Sequence, residues 1–183
     1  MTVLLIGLLL WIVPHLFKRL APKARASMGD RGKAMVAGLS FLAIVLMVLG
    51  FRSAPEVPLY HLPGWTLHAN NALMLVAIFL LGAGSTKGLL VDKLRHPMLT
   101  GVLVWAGAHL LVNGDLASVV LFGGLGAWAA AAMVLINRAE RWKRPAKGSI
   151  AGDAKNLVAT VVIYAVIAGI HYWLGHNPFA AVI

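Results

Sequence analysis

Long apolar stretches recur along the chain, and polar or charged residues separate them. A helix needs about 20 mostly apolar residues, within a range of about 17–25, to cross the hydrocarbon core of a membrane. Continuous apolar runs favour helices, because the strands of a membrane barrel would alternate apolar and polar residues. The pattern therefore predicts an all-α, polytopic bundle of about six transmembrane helices, at residues 2–18, 34–51, 69–86, 97–114, 116–137 and 156–175.

Composition agrees with a membrane protein. Hydrophobic residues make up 60% of the 183 residues and charged residues 12%, whereas soluble domains average about 45–50% and about 25%. These values exclude a soluble enzyme and a disordered regulator. The longest connecting segments, 18–33 and 52–68, are too short to fold alone, so we predict one integral membrane domain over residues 1–183. No basic residue precedes the first apolar run, so we expect a retained helix and not a signal peptide.

The positive charges predict the orientation of the bundle. Alternate connections contain 15 of the 16 lysine and arginine residues, at positions 18–33, 87–95 and 138–155. Connections rich in lysine and arginine stay in the cytoplasm, so both termini are predicted on the non-cytoplasmic side. The net charge of +10 is thereby explained by topology and by contact with anionic membrane lipid, and no nucleic-acid partner is expected.

Histidines are the candidate metal ligands, because the chain contains seven histidines and no cysteine. The lack of cysteine excludes disulfides, zinc–thiolate sites, iron–sulfur clusters and thioether-linked haem. Three histidines, His15, His109 and His171, fall within predicted spans. Polar side chains are costly inside a membrane, so these three are functional candidates.

His109 is the deepest of the three. Trp105 and Asn113 share its helical face at i−4 and i+4, and Asp115 follows two residues after Asn113. We expect Asn113 or Asp115 to orient the imidazole, because such hydrogen bonds fix the tautomer and basicity of a ligating histidine. The alternative is a structural histidine bonded to a backbone carbonyl.

The other two intramembrane histidines have different neighbours. His15 lies near the cytoplasmic end of its span, with Lys18 and Arg19 on the same face, where cations could neutralise the carboxylates of a cofactor. His171 continues a polar stripe formed by Thr160 and Tyr164, and such stripes face the bundle interior. For each histidine, a purely structural or interfacial role is the alternative.

Spacing restricts how these histidines could share a metal. His96 and His109 belong to one predicted helix but are separated by about 20 Å along it and about 140° around it. They cannot ligate one metal from one straight helix. A six-coordinate iron would need ligands from different helices, drawn from His15, His109 and His171. Spacing alone does not select the pair.

Residues 95–115, RHPMLTGVLVWAGAHLLVNGD, resemble the signature of the NnrU family of bacterial membrane proteins. The same pattern, Arg-His-Pro followed by Gly, Trp and Ala-His, occurs in the related plant 15-cis-zeta-carotene isomerase. The resemblance extends to the histidine of the first helix, the stretch RGKAMVAGLSFLAIV and the closing IHYWLGHNP. It implies a multi-pass protein of the bacterial inner membrane, linked to denitrification.

The resemblance also implies a cofactor, because the isomerase binds haem b between two histidines. Its ligands fall on His109 and His15 of this sequence. His171 is a rival second ligand, because it is closer in depth to His109, whereas His15 is offset by about 10 Å. Arg19, Arg95 and His96 are expected to contact the haem propionates or to support a ligand.

Three functions follow as hypotheses. The first is a haem b membrane protein with redox or isomerase-like chemistry toward an apolar substrate. The second is a non-enzymatic accessory or sensor protein that acts with respiratory reductase components in nitrite and nitric oxide reduction. The third is a scaffold or transporter without a cofactor. The spans contain no buried carboxylate, which disfavours a proton-coupled transporter.

Overall fold

The computed structural model describes residues 1–180, and helices account for most of them. Seven helices follow one another along the chain: α1 (Thr2–Leu20), α2 (Pro22–Ser27), α3 (Gly29–Arg52), α4 (Thr66–Thr86), α5 (Pro97–Leu110), α6 (Leu116–Ala139) and α7 (Ile150–Trp173). In this part of the chain, β pairing is limited to one isolated bridge, between Pro58 and Asp115. The predicted all-helical fold is confirmed.

Five of the helices, α1, α3, α4, α6 and α7, are long and apolar enough to cross a membrane. The remaining predicted span, 97–114, contains the 14-residue helix α5, which is about 21 Å long at 1.5 Å per residue. It is shorter than a hydrocarbon core of about 30 Å. At the end of α5, the Leu111 and Val112 N–H groups donate to the carbonyls three residues earlier at 3.1 and 3.2 Å, and the Asn113 side chain donates to the His109 carbonyl at 2.8 Å.

Polar residues extend the helices beyond the apolar runs. Helix α7 begins at Ile150, six residues before the predicted start, because the Ser149 side chain accepts a hydrogen bond from the Gly152 N–H at 3.0 Å and caps the helix. The connection at 18–33, predicted as a loop, contains α2, with Pro22 in the first turn, where its missing N–H costs nothing.

The helices form two compact units, each built from two segments of chain. Unit 1 consists of residues 1–60 and 114–140 and contains α1, α2, α3 and α6. Helices α1 and α3 approach closely at glycines: a Cβ added to Gly7 would lie 2.7 Å from the Met47 nitrogen, and one added to Gly50 would overlap the backbone of Leu4. Small residues allow such close approach between membrane helices.

The segment before α4 is pinned to the start of α6 in unit 1. The N–H groups of Leu59 and Tyr60 both donate to the Gly114 carbonyl, at 2.7 and 3.1 Å. Asp115 caps α6 by accepting from the Ser118 N–H at 2.9 Å. Burial raises the pKa of the Asp115 carboxyl, but hydrogen bonds from Ser118 outweigh it, so its pKa lies below the usual value.

Unit 2 consists of residues 61–113 and the chain from 141 onwards, and contains α4, α5 and α7. Helix α4 packs against both of the others. Asn156 of α7 is 1% exposed, and its side-chain amide donates to the Phe79 carbonyl of α4 at 2.8 Å. On the side of α5, Gly101 packs against the Ala77 carbonyl. The α4–α5 connection is tied to α7 by Asp153, which accepts from the Leu89 N–H at 3.0 Å.

Candidate functional site

The three histidines of α1, α5 and α7 share one local geometry. In each, the ring Nδ1 lies within hydrogen-bond distance of the backbone carbonyl four residues earlier: His15 with Trp11 at 2.6 Å, His109 with Trp105 at 2.9 Å and His171 with Ile167 at 2.8 Å. A carbonyl can only accept, so Nδ1 carries the proton in each hydrogen bond. The lone pair then belongs to Nε2, which is the arrangement of a metal-ligating histidine.

His15 lies in an aromatic cluster of unit 1. Its ring stacks on Trp11 with 4.2 Å between centroids and meets Trp128 of α6 edge-on at 5.3 Å. The indole N–H groups of both tryptophans are buried and have no hydrogen-bond partner among residues 1–180. The imidazole therefore sits in a rigid, largely apolar setting between α1 and α6.

Arg19 lies one turn after His15 and forms an ion pair with Glu140. The Arg19 side chain is mostly shielded from solvent, and the pair joins the ends of α1 and α6 within unit 1. The sequence analysis did not single out Glu140. No local signal could have found it, because 121 residues separate the two partners.

His109 belongs to unit 2 and is half-buried. Its ring is 5.0 Å from that of Trp105, and His171 belongs to the same unit. Asn113 donates from its side chain to the His109 carbonyl, so this bond holds the end of α5. Asp115, the other predicted orienting group, accepts from Ser118 in unit 1.

The polar side chains of the α7 stripe become more exposed to solvent toward the end of the helix. Thr160 is 2% exposed, and its hydroxyl has no hydrogen-bond partner within residues 1–180. Tyr164 is half-buried, and His171 is exposed. Asn156, which the sequence analysis missed, extends the stripe by one turn. The sequence spacing could have identified it, because an asparagine four residues before Thr160 lies on the same helical face.

Arg95 and His96 immediately precede α5, and both are half-buried. The His96 carbonyl accepts from the N–H and the hydroxyl of Thr100, each at 2.9 Å. The two residues therefore lie at the end of α5 opposite His109, about 20 Å away along the helix. The histidines outside the predicted spans, His61, His68 and His176, are exposed.

A protein-family model described as NnrU protein matches residues 3–178, which is nearly the whole chain. The chain belongs to the NnrU family. No curated protein and no solved structure matches it. The NnrU match includes the signature segment 95–115, the α1 histidine and the closing segment of α7, which carried the resemblance in the sequence.

The candidate metal-binding side chains of this NnrU-family protein are its histidines. Within residues 1–180, no group of three or more His, Cys, Asp or Glu residues could hold a metal ion. A haem iron already has four porphyrin nitrogens and needs only one or two axial ligands from the protein. The Nδ1 hydrogen bonds of His15, His109 and His171 supply the required tautomer. The donor set therefore fits an axially ligated haem.

Proposed function

We propose that this NnrU-family membrane protein binds haem b through His109. The hydrogen bond between His109 Nδ1 and the Trp105 carbonyl carries the proposal, because it directs the lone pair to Nε2 and fixes the ring orientation. The half-buried position and the neighbouring indole ring would limit the access of water to the bound group.

His171 and His15 are the candidates for a second ligand. His171 shares unit 2 with His109. His15 belongs to unit 1 and has the same Nδ1 geometry on its own aromatic platform. Asn113 supports the end of α5 through the His109 carbonyl. Arg19 already pairs with Glu140, and Arg95 and His96 lie about 20 Å along α5 from His109, so we do not propose them as partners of the propionates of a haem on His109.

When bound, haem b supplies one-electron redox chemistry and Lewis acidity. His109 would hold the iron through its imidazole nitrogen, the Trp105 carbonyl orients that ring, and the Trp105 indole would limit the access of water. These features suit electron transfer or an isomerase-like reaction on an apolar, membrane-dissolved substrate.

Absorption spectra of the purified protein test this proposal. The full chain, purified in mild detergent after expression with added haem precursor, should show a Soret band that shifts on dithionite reduction, with about one haem per chain. A colourless protein, even after incubation with haemin, would contradict haem binding. An accessory or scaffold role in nitrogen-oxide respiration would then be the preferred hypothesis for this NnrU-family protein.

The proposal includes the membrane topology. Five helices are long enough to span a membrane, and we propose that α5 also crosses, because 15 of the 16 lysine and arginine residues then fall on one side. Both termini would lie outside the bacterial inner membrane, and residues 21–33 and 141–147 would lie in the cytoplasm. Five crossings without α5 would place the strongly basic residues 141–147 outside.

Cysteine labelling tests this topology without background, because the chain has no cysteine. Single variants Lys23→Cys, His61→Cys, Lys143→Cys and His176→Cys are treated in intact cells with a membrane-impermeant maleimide. Only His61→Cys and His176→Cys should react, whereas all four should react after permeabilisation. Labelling of Lys143→Cys in intact cells would show that α5 does not cross.

A further inference from the structure

A short basic segment in unit 2 leads into α7. Residues 141–147, RWKRPAK, form neither helix nor strand, and we refer to them as the basic strap. All four cations of the strap, Arg141, Lys143, Arg144 and Lys147, are exposed, and the strap contains no acidic residue. Among residues 1–180, none of these four cations forms an ion pair. The strap therefore presents uncompensated positive charge.

The other strongly basic connection, residues 18–33, differs in this respect. Arg19 pairs with Glu140, and Lys33 pairs with Asp30 at 2.9 Å. Arg25 donates to the Gly29 carbonyl at 3.3 Å. Several cations there already have partners within the protein, and α2 fixes part of their backbone. The two connections look alike in sequence, but the strap has the larger share of unpaired cations.

The strap also contains a tryptophan. Trp142 is half-buried, and the guanidinium of Arg144 lies 5.3 Å from the centre of its ring. A guanidinium over an indole face is held by a cation–π interaction, which leaves its N–H groups able to bind a phosphate in bidentate fashion. Tryptophan is enriched where membrane and water meet.

The short chain between the strap and the end of α6 limits which partners the strap can contact. The strap follows α6, which ends at Ala139, and α7 begins at Ile150, whose side chain is 76% exposed. Both helices are apolar enough to cross a membrane. Lys143 is four residues from the end of α6, so even a fully extended chain holds it within about 15 Å of that helix end. The strap is thereby confined to the level of the lipid headgroups.

From the unpaired cations, the tryptophan and this short reach, we infer that the basic strap binds the phosphate groups of anionic phospholipids at the membrane surface. Juxtamembrane cations are attracted to anionic headgroups, and the attraction falls off within a Debye length. A soluble acidic protein or a nucleic acid fits less well, because the tethered strap stays at the bilayer surface.

Lipid binding to the purified full chain tests this inference. Native mass spectrometry in mild detergent gives dissociation constants for added phosphatidylglycerol and phosphatidylcholine. The unaltered chain should prefer phosphatidylglycerol by at least about tenfold, from about fivefold per cation near an anionic surface. The strap variant, with Arg141, Lys143, Arg144 and Lys147 all changed to Gln, should reduce this preference to less than about threefold.

A matched variant controls for net charge. Changing Lys18, Lys23, Arg31 and Lys33 to Gln removes the same number of charges from the other connection, and the lipid preference should fall by clearly less than in the strap variant, because Lys33 is already paired with Asp30 and no tryptophan accompanies these cations. Raising ammonium acetate from about 0.05 to about 0.5 M should weaken phosphatidylglycerol binding by the unaltered chain, because salt screens exposed charges. This measurement needs no variant to fold.

Four results would overturn the inference. They are no preference in the unaltered chain, an unchanged preference in the strap variant, an equal loss in both variants, and binding that does not respond to salt. Retention of nucleic acid or of an acidic protein by the strap, without a lipid preference, would assign the surface to a different partner.

Discussion

Replacing His109 with alanine is expected to remove the haem spectrum almost completely. The imidazole is the only side chain on this part of α5 with a nitrogen lone pair, and the Trp105 carbonyl holds it in the ligating tautomer. Loss of an axial ligand removes a direct bond between the protein and the haem iron. We expect haem content below about a tenth of the original in His109→Ala, measured as haem per chain from the Soret absorbance and the pyridine haemochrome.

A matched substitution separates ligation from general loss of structure. His68 is an exposed histidine in α4 of the same unit, so His68→Ala should keep the haem. In His109→Gly, added imidazole should restore a Soret band, because it can occupy the space left by the side chain. Unchanged haem content in His109→Ala would contradict the ligand assignment.

Parallel variants identify the second ligand. If His171→Ala changes the spectrum from six-coordinate to five-coordinate character and His15→Ala does not, His171 of unit 2 is the second ligand. The reverse result would assign His15. If neither changes the spectrum, His109 is the sole axial ligand from these spans.

Replacing Gly50 with leucine should have the largest effect on stability. A Cβ at this position would overlap the backbone of Leu4 in α1, and backbone cannot move aside as a flexible side chain can. Overpacking of a close helix contact typically costs about 1–3 kcal/mol and occasionally more, and membrane helices depend on such packing for association. We expect a loss of about 3 kcal/mol in the free energy of unfolding.

The same helix provides the control. Gly38 also lies in α3, but an added Cβ there meets no atom within 4 Å. Both changes gain about 1 kcal/mol of helix propensity, so only the contact with α1 differs. Thermal or denaturant unfolding in detergent should show a large loss for Gly50→Leu and little change for Gly38→Leu. Equal losses would show that the α1–α3 contact is not the cause.

Sequence by itself determined the elements that depend on local chemistry. Apolar runs of about 20 residues specify membrane helices because the backbone must satisfy its own hydrogen bonds in lipid. The positions of five long helices were predicted from these runs, and the family was predicted from the motif in residues 95–115. The Nδ1 hydrogen bond of each histidine is also local, because the carbonyl that accepts it lies one helical turn earlier in the same helix.

Tertiary structure decided which of these elements meet. The Arg19–Glu140 ion pair and the Asn156–Phe79 hydrogen bond join residues far apart in sequence, and periodicity along one helix contains no information about its partner. The division into two units places His109 with His171 and places His15 with Trp128. The sequence therefore predicted three histidines with the same local chemistry. Their burial and neighbouring side chains differ because these depend on the other helices that pack against them.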